Sequence, residues 1–265
     1  MENEVLISVI VSLYNYKCFI KDCIKSILNQ TYKNFELIIV DDCSTDNSYE
    51  KAKKFEKKDN RIKVIKLDKN MGYSTAKNEG IISSKGEYIV TLDADDMMIK
   101  DSLEVRLKAV LKYNVPFVYA DAIMVKNDIS LENCYKLDIK KIRKERTKIA
   151  HYDPSYGIYS IDAQGIIIHR DIYKKYGLYD ENLRSRSDRE MWWRLFGKDK
   201  SEKQKIEAYH LKKPVVYYRY HRYSMWRKRK RNKTLDQKVI KLSEKAYEMR
   251  KKNGITEKNT RFLKK

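Results

Sequence analysis

Three carboxylates stand together where an apolar segment of the chain ends. Residues Tyr88–Leu92 form the kind of run that makes a buried strand, and Asp93, Asp95 and Asp96 follow it. Like charges this close resist burial unless a cation neutralises them. Clustered carboxylate oxygens are ligands that Mg²⁺ and Mn²⁺ prefer, often together with substrate phosphates. The pattern indicates a metal–nucleotide site, although an acidic turn with Asp96 or Asp101 capping the next helix would look the same.

The segments around this cluster alternate between strand and helix patterns. Strands are predicted at 6–13, 35–40, 61–67 and 88–92, and helices at 19–28, 44–57, 74–84 and 103–111. Continuous apolar strands joined by helices predict an α/β fold with a largely parallel sheet covered on both faces. Open sheets of this kind bind ligands at the carboxyl ends of their strands, which is where the carboxylates lie.

The second half of the chain is less regular. Strands are predicted at 116–125, 165–169 and 214–220, and helices at 172–176 and 187–196. Residues 126–150 are polar and highly charged, which predicts a loop or insertion. A last helix is predicted to begin near Thr234, with one apolar stripe surrounded by cations. The stripe consists of Leu235, Val239, Leu242, Ala246 and Met249.

Composition limits the class of protein. The 265 residues can bury a sizeable core, and no apolar run approaches the roughly 20 residues that span a bilayer. The N-terminal residues lack signal-peptide features, and the four cysteines (Cys18, Cys23, Cys43 and Cys134) lack paired spacing. These features predict a cytoplasmic protein with reduced thiols.

The net charge of +21 is unevenly distributed. Residues 212–265 hold 20 Lys and Arg against 4 Asp and Glu, so the body of the chain is nearly balanced. Such a basic tail predicts attraction to anionic lipid, nucleic acid or an acidic polymer. A solvated helix in a lysine-rich protein would have the same composition.

Five groups of residues, taken in order, resemble family 2 glycosyltransferases of the GT-A fold. They are Val-Ser-Leu-Tyr-Asn at 11–15, the segments 26–36 and 40–48, Asn70-Met-Gly72 with 76–80, and 85–88 with Leu92-Asp-Ala-Asp-Asp. The resemblance implies a three-layer α/β/α, Rossmann-like mixed sheet with a basic C-terminal helical extension. It assigns 1–125 to nucleotide-sugar binding and 126–231 to acceptor binding and catalysis in the same domain, and the charge and apolar spacing of 232–265 predict a basic amphipathic helix or tail.

The resemblance places the nucleoside site at the first two strand ends. Ser12, Tyr14 and Asp42, with Asp41 adjacent, fall where such enzymes hold the nucleoside. A carboxylate at Asp42 can accept a hydrogen bond from a uracil imide, which favours a UDP-sugar donor. The usual Pro-Thr before Tyr-Asn is replaced by Ser12-Leu13.

The resemblance also assigns the diphosphate and metal site. Asp93 and Asp95, with Ala94 between them, form the D-x-D element that binds Mn²⁺ or Mg²⁺ and the donor, and Asp95 is favoured for direct metal contact. Asp96 either supports the metal or caps the next helix. Lys77 occupies the place of a common Arg and, as a point charge, cannot make the bidentate contact of a guanidinium.

Two later segments resemble the catalytic half of the family. Residues 176–181 resemble Gly-x-Phe-Asp-Glu, and the helix start at 187–194 then places Asp188 on the catalytic base. A helix N-terminus favours an ionised carboxylate, which suits a base, although Asp188 could instead be only the N-cap. Residues 217–224 resemble Arg-x-His-x-x-Ser. There His221 would ligate the metal or bond the diphosphate, and Arg219 and Arg222 would offset leaving-group charge. The alternative for His221 is a partly buried strand residue.

These assignments predict an inverting glycosyl transfer in which Asp188 deprotonates an acceptor hydroxyl. The acceptor would be a saccharide, a lipid-linked molecule or a glycoconjugate, in the synthesis of surface polysaccharide or glycoconjugates. The expected location is the cytoplasm, with peripheral contact to the inner face of the membrane through the basic tail. The sequence also allows a homo-oligomer.

Two other classes of function are compatible with the sequence. A nucleic-acid-binding protein would use the basic tail, although the body lacks an obvious recognition motif. A glycosyltransferase acting on modified nucleic acid would combine both properties. A glycosyltransferase-like domain without catalysis is a further alternative, against which Asp95 and Asp188 argue.

Overall fold

The computed structural model describes residues 5–126, 129–138, 149–150, 163–183, 186–198, 203–221 and 233–253. In the first half the elements are β1 (Ile7–Leu13), α1 (Ile20–Leu28), β2 (Phe35–Asp41), α2 (Ser48–Glu56), β3 (Ile62–Lys66), α3 (Tyr73–Ser83), β4 (Tyr88–Asp93), β5 (Met97–Met98) and α4 (Ser102–Tyr113). In the second half they are β6 (Phe117–Lys126), α5 (Leu131–Tyr135), β7 (Ile149–Ala150), a 3₁₀ turn (Ala163–Gly165), β8 (Ile166–His169), α6 (Arg170–Tyr176), α7 (Ser187–Phe196), β9 (Tyr209–Tyr220) and α8 (Lys233–Asn253).

The strands form one mixed sheet in the order β3-β2-β1-β4-β8-β6-β9-β5, with β7 paired to β6. Strands β1 to β4 are parallel to their neighbours among themselves, whereas β8 is antiparallel to both β4 and β6. Strand β9 runs parallel to β6, and the short β5 pairs antiparallel with β9. The predicted mixed α/β sheet is therefore confirmed.

Helices cover both faces of the sheet. One face packs against buried side chains of α1, α2 and α4, among them Ile24, Ala52 and Leu107. The other face packs against α3, α6 and α7, and it includes the buried ring of Trp192. Alternating side chains of a strand point to opposite faces, so a strand covered on both sides reads as a continuous apolar run, as β1 does. This arrangement is the predicted three-layer α/β/α architecture.

Helix α3 lies unusually close to the centre of the sheet. A Cβ atom at Gly80 would overlap with the side chain of Ile10 on β1, so only glycine allows this approach. The close packing fixes the N-terminus of α3 near the carboxyl ends of β1 and β4.

Some elements differ from the sequence predictions. Part of the segment predicted as a loop at 126–150 contains α5, whose Ser130 cap accepts a hydrogen bond from Asn133 N at 3.3 Å, with Leu131 and Cys134 buried. Strand β9 begins at Tyr209 rather than Pro214 because register shifts along β6 accommodate the proline in the pairing. The highly charged 140–148 segment lies outside the described residues.

The apolar stripe of the last helix does not pack inward at Leu242 and Met249, where its side chains are described. Leu242 and Met249 are 49% and 54% exposed, whereas Ser243 and Tyr247 are buried. Helix α8 packs against α7 through this second face, with the rings of Tyr247 and Trp193 5.9 Å apart. Burial along α8 therefore follows the aromatic contact of Tyr247 and the ion pairs of Arg250, not the aliphatic repeat.

No helix in the described ranges is long and apolar enough to cross a bilayer.

Candidate active site

The candidate site lies where the parallel strands end. In the pairing of β1 with β4, Ser12 stands opposite Asp93, and in the pairing of β1 with β2, Leu13 stands opposite Asp41. The Ser12 side chain is buried, and within the described part of the chain its hydroxyl makes no hydrogen bond. These registers bring residues predicted for the nucleoside and for the metal to one edge of the sheet.

The two carboxylates after β2 organise the loops at this edge. Asp42 accepts hydrogen bonds from Met71 N at 2.6 Å and from Gly72 N at 2.9 Å. Gly72 has a φ of 94°, which favours glycine. The glycine of the Asn-x-Gly segment therefore allows the backbone conformation in which both amides donate to Asp42. Asp41 is fully buried and accepts a hydrogen bond from Ser44 N at 3.0 Å. Contacts of either carboxylate with a nucleoside stay predictions.

The loop after β1 is joined to the loop after β2. The Asn15 side-chain oxygen accepts a hydrogen bond from Thr45 N at 2.8 Å, and Asn15 N donates to Ser44 Oγ at 3.0 Å. Tyr14 precedes this junction and is 43% exposed. An accessible ring on an anchored loop can stack on a nucleobase, which is the role predicted for Tyr14.

The carboxylates after β4 form one cluster. Asp93, Asp95 and Asp96 each place an oxygen within 4.8 Å of the others. The buried His221 ring places Nε2 2.8 Å from Asp95 Oδ2. Asp96 Oδ1 accepts a hydrogen bond from Arg219 N at 2.8 Å, which ties the cluster to β9. The structure therefore brings the three predicted metal residues together and gives Asp96 a separate contact with the backbone.

Two residues that the sequence analysis did not single out hold Asp93. The Tyr73 phenol donates a hydrogen bond of 2.7 Å to Asp93 Oδ1. On the other side, Asp93 N donates to Gln164 Oε1 at 2.7 Å. Tyr73 directly follows the Asn-x-Gly segment, and this position could have identified it as a candidate site residue. The sequence carried none for Gln164, which reaches Asp93 from a distant turn.

Tyr16 is a third residue that the sequence analysis missed. Its ring lies edge-on to that of His221, with centroids 5.9 Å apart. Burial raises the pKa of the Tyr16 phenol far above its ordinary value, and the nearby charges of Asp95, Asp93 and Asp96 raise it further. The phenol therefore keeps its proton and can donate a hydrogen bond to the acidic cluster.

Arg219 is buried beneath the cluster. Its Nε donates to Asp95 O at 2.9 Å, its Nη1 donates to Ile129 O at 3.0 Å, and its guanidinium lies 4.9 Å from the centre of the Phe19 ring. These contacts hold the backbone of the D-x-D element. A contact of Arg219 with the donor stays a prediction, and Arg222 lies outside the described residues.

Lys77 is fully buried within α3. Its Nζ lies 4.3 Å from the centre of the Tyr73 ring and 5.1 Å from that of Tyr179. A cation over these rings is stabilised by their negative faces. Ala94 is also buried, at the centre of the D-x-D element. Nucleotide contacts of both residues stay predictions.

The candidate base lies in the first turn of α7. Asp188 is the second residue of this helix, and Arg186 is the N-cap, so the alternative in which Asp188 is only the cap is wrong. Burial raises the pKa of the Tyr73 phenol well above its ordinary value, and the charges of Asp93 and Asp188 raise it further. The pKa of this phenol, which is hydrogen-bonded to Asp93, is therefore affected by the charges of both the D-x-D element and the candidate base.

The residues of the cluster fit a divalent cation. Asp93 and Asp95 offer hard carboxylate oxygens, and His221 adds an imidazole nitrogen. Mg²⁺ prefers oxygen ligands, whereas Mn²⁺ also accepts imidazole. The contact of Asp96 with Arg219 N leaves Asp93 and Asp95 as the residues that would hold the ion.

Solved structures show that this fold is that of GT-A glycosyltransferases. The crystal structure of S. aureus TarS 1-349 in complex with UDP-GlcNAc has a TM-score of 0.64 and 20% identity, covering 82% of this chain and 59% of that one. The mannosyltransferase PcManGT from Pyrobaculum calidifontis, in complex with GDP-Man and Mn²⁺, has a TM-score of 0.60 and 16% identity, covering 84% and 60%.

Sequence comparison gives relatives with closer identity over a shorter span. An Escherichia coli protein, UDP-Glc:alpha-D-GlcNAc-diphosphoundecaprenol beta-1,3-glucosyltransferase WfgD, is 35% identical over 126 residues. The match covers 48% of this chain and 49% of WfgD, so the chain spans about half the length of such curated relatives. A profile described as "Glycosyl transferase family 2" matches residues 8–177, which is more than half of the chain. The chain therefore belongs to glycosyl transferase family 2.

Proposed function

We propose that the protein is an inverting, metal-dependent glycosyltransferase. It would move a sugar from a nucleotide diphosphate, preferably UDP, to an acceptor hydroxyl in the synthesis of a surface polysaccharide or glycoconjugate. The observation that carries the proposal is the cluster of Asp93, Asp95 and Asp96 at the carboxyl ends of the strands, held by Tyr73 and His221, in a chain of this family. A direct displacement at a sugar carbon needs a group that holds the donor and a base for the acceptor, and Asp188 is the proposed base.

The donor side of the cleft combines the loops after β1 and β2 with the acidic cluster. Tyr14 and Asp42 would bind the nucleoside, and Asp93 and Asp95 would hold Mn²⁺ or Mg²⁺. When bound, such an ion stabilises the negative charge that develops on the departing nucleotide diphosphate. The sugar nucleotides bound in the TarS and PcManGT structures, UDP-GlcNAc and GDP-Man, support a donor of this class.

The acceptor side contains the candidate base. Asp188 would accept the proton of the acceptor hydroxyl while that oxygen attacks the anomeric carbon from the face opposite the leaving group. Asp188 lies in the first turn of α7, at the positive end of the helix dipole. Attack from the opposite face inverts the configuration at that carbon.

Donor hydrolysis and transfer over a panel of nucleotide sugars, with and without Mn²⁺, test this proposal. Asp188→Asn is expected to lower transfer by about 100-fold or more. It should leave the affinity for UDP, measured by calorimetry, within about threefold. The matched control is Asp171→Asn, because Asp171 is also the second residue of a helix but belongs to α6, outside the cleft. Equal loss of transfer and of UDP affinity in Asp188→Asn would refute the base assignment.

We also infer that helix α8 contacts an anionic membrane at the cytoplasmic face, near a lipid-linked acceptor. Leu242 and Met249 are exposed and seven residues apart, so they lie on one side of the helix, and Lys241 and Lys245 are exposed nearby. A double Leu242→Ser, Met249→Ser variant should bind less to phosphatidylcholine vesicles containing phosphatidylglycerol. The control, Leu111→Ser, removes an equally exposed side chain from α4. The inference is contradicted if the unmodified protein binds equally well to phosphatidylcholine vesicles with and without phosphatidylglycerol.

A further inference from the structure

Two arginines and two carboxylates form a buried charge cluster behind the candidate base. Glu190, in the first turn of α7, is fully buried and accepts a hydrogen bond from Arg194 Nε at 2.7 Å. Arg250 of the C-terminal helix α8 reaches the same carboxylate, with Nη1 3.8 Å from Glu190 Oε2. Its Nε also lies 3.3 Å from Asp180 Oδ2. One guanidinium from the end of the chain thus bridges α7 and the segment before it.

The same arginines share one backbone carbonyl. Arg194 Nη2 donates to Leu178 O at 2.9 Å, and Arg250 Nη1 donates to Leu178 O at 3.0 Å. Arg194 also donates to the carbonyls of Tyr176 and Gly177. The connection from α6 towards α7 is therefore held by side chains from α7 and α8 together.

Arg250 supplies one of the two cations of this cluster. The side chains of Arg250 and Asp180 are 10% and 9% exposed, and that of Glu190 is 0% exposed. In the described part of the chain, removing the guanidinium of Arg250 takes one ion pair from Asp180 and one from Glu190, which keeps its pair with Arg194. An uncompensated buried charge is unfavourable, so the surrounding backbone would shift to admit water or another cation.

The cluster lies two residues from the candidate base. Glu190 and Asp188 belong to the same helical turn, so a change in the direction of α7 that releases Glu190 also moves Asp188. Helix α8 also contacts α7 through the rings of Tyr247 and Trp193, and it contacts the residues after α7 through Glu244 Oε1, 3.5 Å from Lys198 Nζ.

We propose that Arg250 is a positioning residue for catalysis, through which the C-terminal helix fixes the N-terminal turn of α7 and hence Asp188. This inference rests on the proposed function of Asp188. It gives the basic C-terminal segment a role inside the catalytic half, in addition to any contact with a charged surface. Small displacements of a reacting group are costly, since about 1 Å can lower a rate by roughly 100-fold.

The test compares three variants of the full chain, Arg250→Met, Arg250→Lys and Lys252→Met. Transfer kcat, KM, and the affinity and stoichiometry of UDP binding are measured for each. Arg250→Met is expected to lower kcat between about 10-fold and 100-fold, with UDP affinity and stoichiometry unchanged, because the donor side does not contain α8. Arg250→Lys should recover part of the loss, since an ammonium can neutralise the carboxylates but cannot bridge all three acceptors.

Lys252→Met is the matched control, because it removes a cation from an exposed position of the same helical turn. Its kcat should equal that of the unmodified protein. The proposal is overturned by a normal kcat in Arg250→Met, or by equal losses in Arg250→Met and Lys252→Met. A parallel fall of kcat and UDP stoichiometry in Arg250→Met also overturns the proposal, because partial unfolding of the chain gives that result. Arg250→Lys keeps the positive charge and serves as the comparison for this outcome. Failure of the proposed function is distinguishable, because the unmodified protein would then show no transfer, and failure of the base assignment would leave transfer intact in Asp188→Asn.

Discussion

The Tyr73 phenol donates a 2.7 Å hydrogen bond to Asp93 Oδ1 and thereby joins the start of α3 to the end of β4. The same ring lies under the ammonium group of Lys77. An acidic residue that is to hold a cation needs a fixed orientation, and a phenol supplies it without adding charge. Tyr73 therefore links the segment after Asn-x-Gly to the D-x-D element.

Removing this hydroxyl should weaken metal-dependent nucleotide binding. Tyr73→Phe keeps the ring over which Lys77 lies and leaves Asp93 Oδ1 without its donor. We expect the Mn²⁺-dependent affinity for UDP to fall by about 10-fold, as for other residues that orient metal ligands. Calorimetry with and without Mn²⁺ measures it. Tyr88→Phe, at the opposite end of β4, is the control and should bind normally; the role of Tyr73 is wrong if both variants bind alike.

The two acidic residues that end the cluster should respond differently to loss of charge. Asp95→Asn is expected to abolish Mn²⁺-dependent UDP binding, because Asp95 is a proposed ligand. Asp96→Asn should retain affinity within about threefold but lower the free energy of unfolding by about 1 kcal/mol, since an amide oxygen accepts the 2.8 Å hydrogen bond from Arg219 N less strongly than a carboxylate does. Calorimetry and urea unfolding of both variants decide this. Loss of Mn²⁺-dependent UDP binding in Asp96→Asn, with binding retained in Asp95→Asn, would assign the metal to Asp96.

Arg106 should be important for stability. It is fully buried, and its guanidinium donates to Ile166 O at 2.7 Å and to Ser102 Oγ at 2.7 Å. Arg106→Met leaves these acceptors unsatisfied, so the free energy of unfolding should fall by about 3 kcal/mol. Lys108→Met on the exposed side of the same helix should change it by less than about 0.5 kcal/mol. Urea denaturation measures both, and similar losses would contradict the expectation.

One acid-dependent contribution to stability can be assigned to Asp59. Arg61 Nε donates to Asp59 Oδ1 at 3.0 Å and Nη2 donates to Oδ2 at 2.8 Å. These hydrogen bonds hold the pKa of Asp59 below its ordinary value. Because the folded pKa is the lower one, the stabilisation is present above the unfolded pKa of about 4 and is lost as the pH falls through the folded pKa.

Asp59→Asn should therefore destabilise the protein at neutral pH by up to about 1 kcal/mol, since the pair is partly exposed. The difference from the unmodified protein should disappear under acid, which urea unfolding at several pH values measures. Asp68→Asn, an exposed carboxylate beyond β3, is the control. A difference that persists in acid would show that the contribution is not the charge of Asp59.

The predicted elements of the first half agree closely with the structure because their signals are local. The run Tyr88–Leu92 followed by carboxylates specifies a buried strand and an acidic edge. The predicted bounds of α7 are those observed, from Ser187 to Phe196. A hydrophobic period and a following polar cluster depend only on neighbouring residues, so they can be read without knowing what packs against them.

The contacts that complete the candidate site were decided by tertiary structure. Gln164 reaches Asp93 N across 71 positions of sequence, and His221 reaches Asp95 across 126. Nothing within either segment specifies the partner, because β8 and β9 enter the sheet through non-local pairings. The face of α8 that packs inward is a further case, since Leu242 and Met249 form the stronger apolar repeat.

The class of fold, the acidic edge of the sheet and the residues proposed for donor and base could all be predicted from local patterns in the sequence. The hydrogen bond of Tyr73 with Asp93 and the contacts of Arg250 with Asp180 and Glu190 depend instead on how distant segments pack. The physical reason is that periodicity and local charge are properties of short segments. A buried hydrogen bond or ion pair depends on two segments whose meeting is set by the packing of the whole sheet.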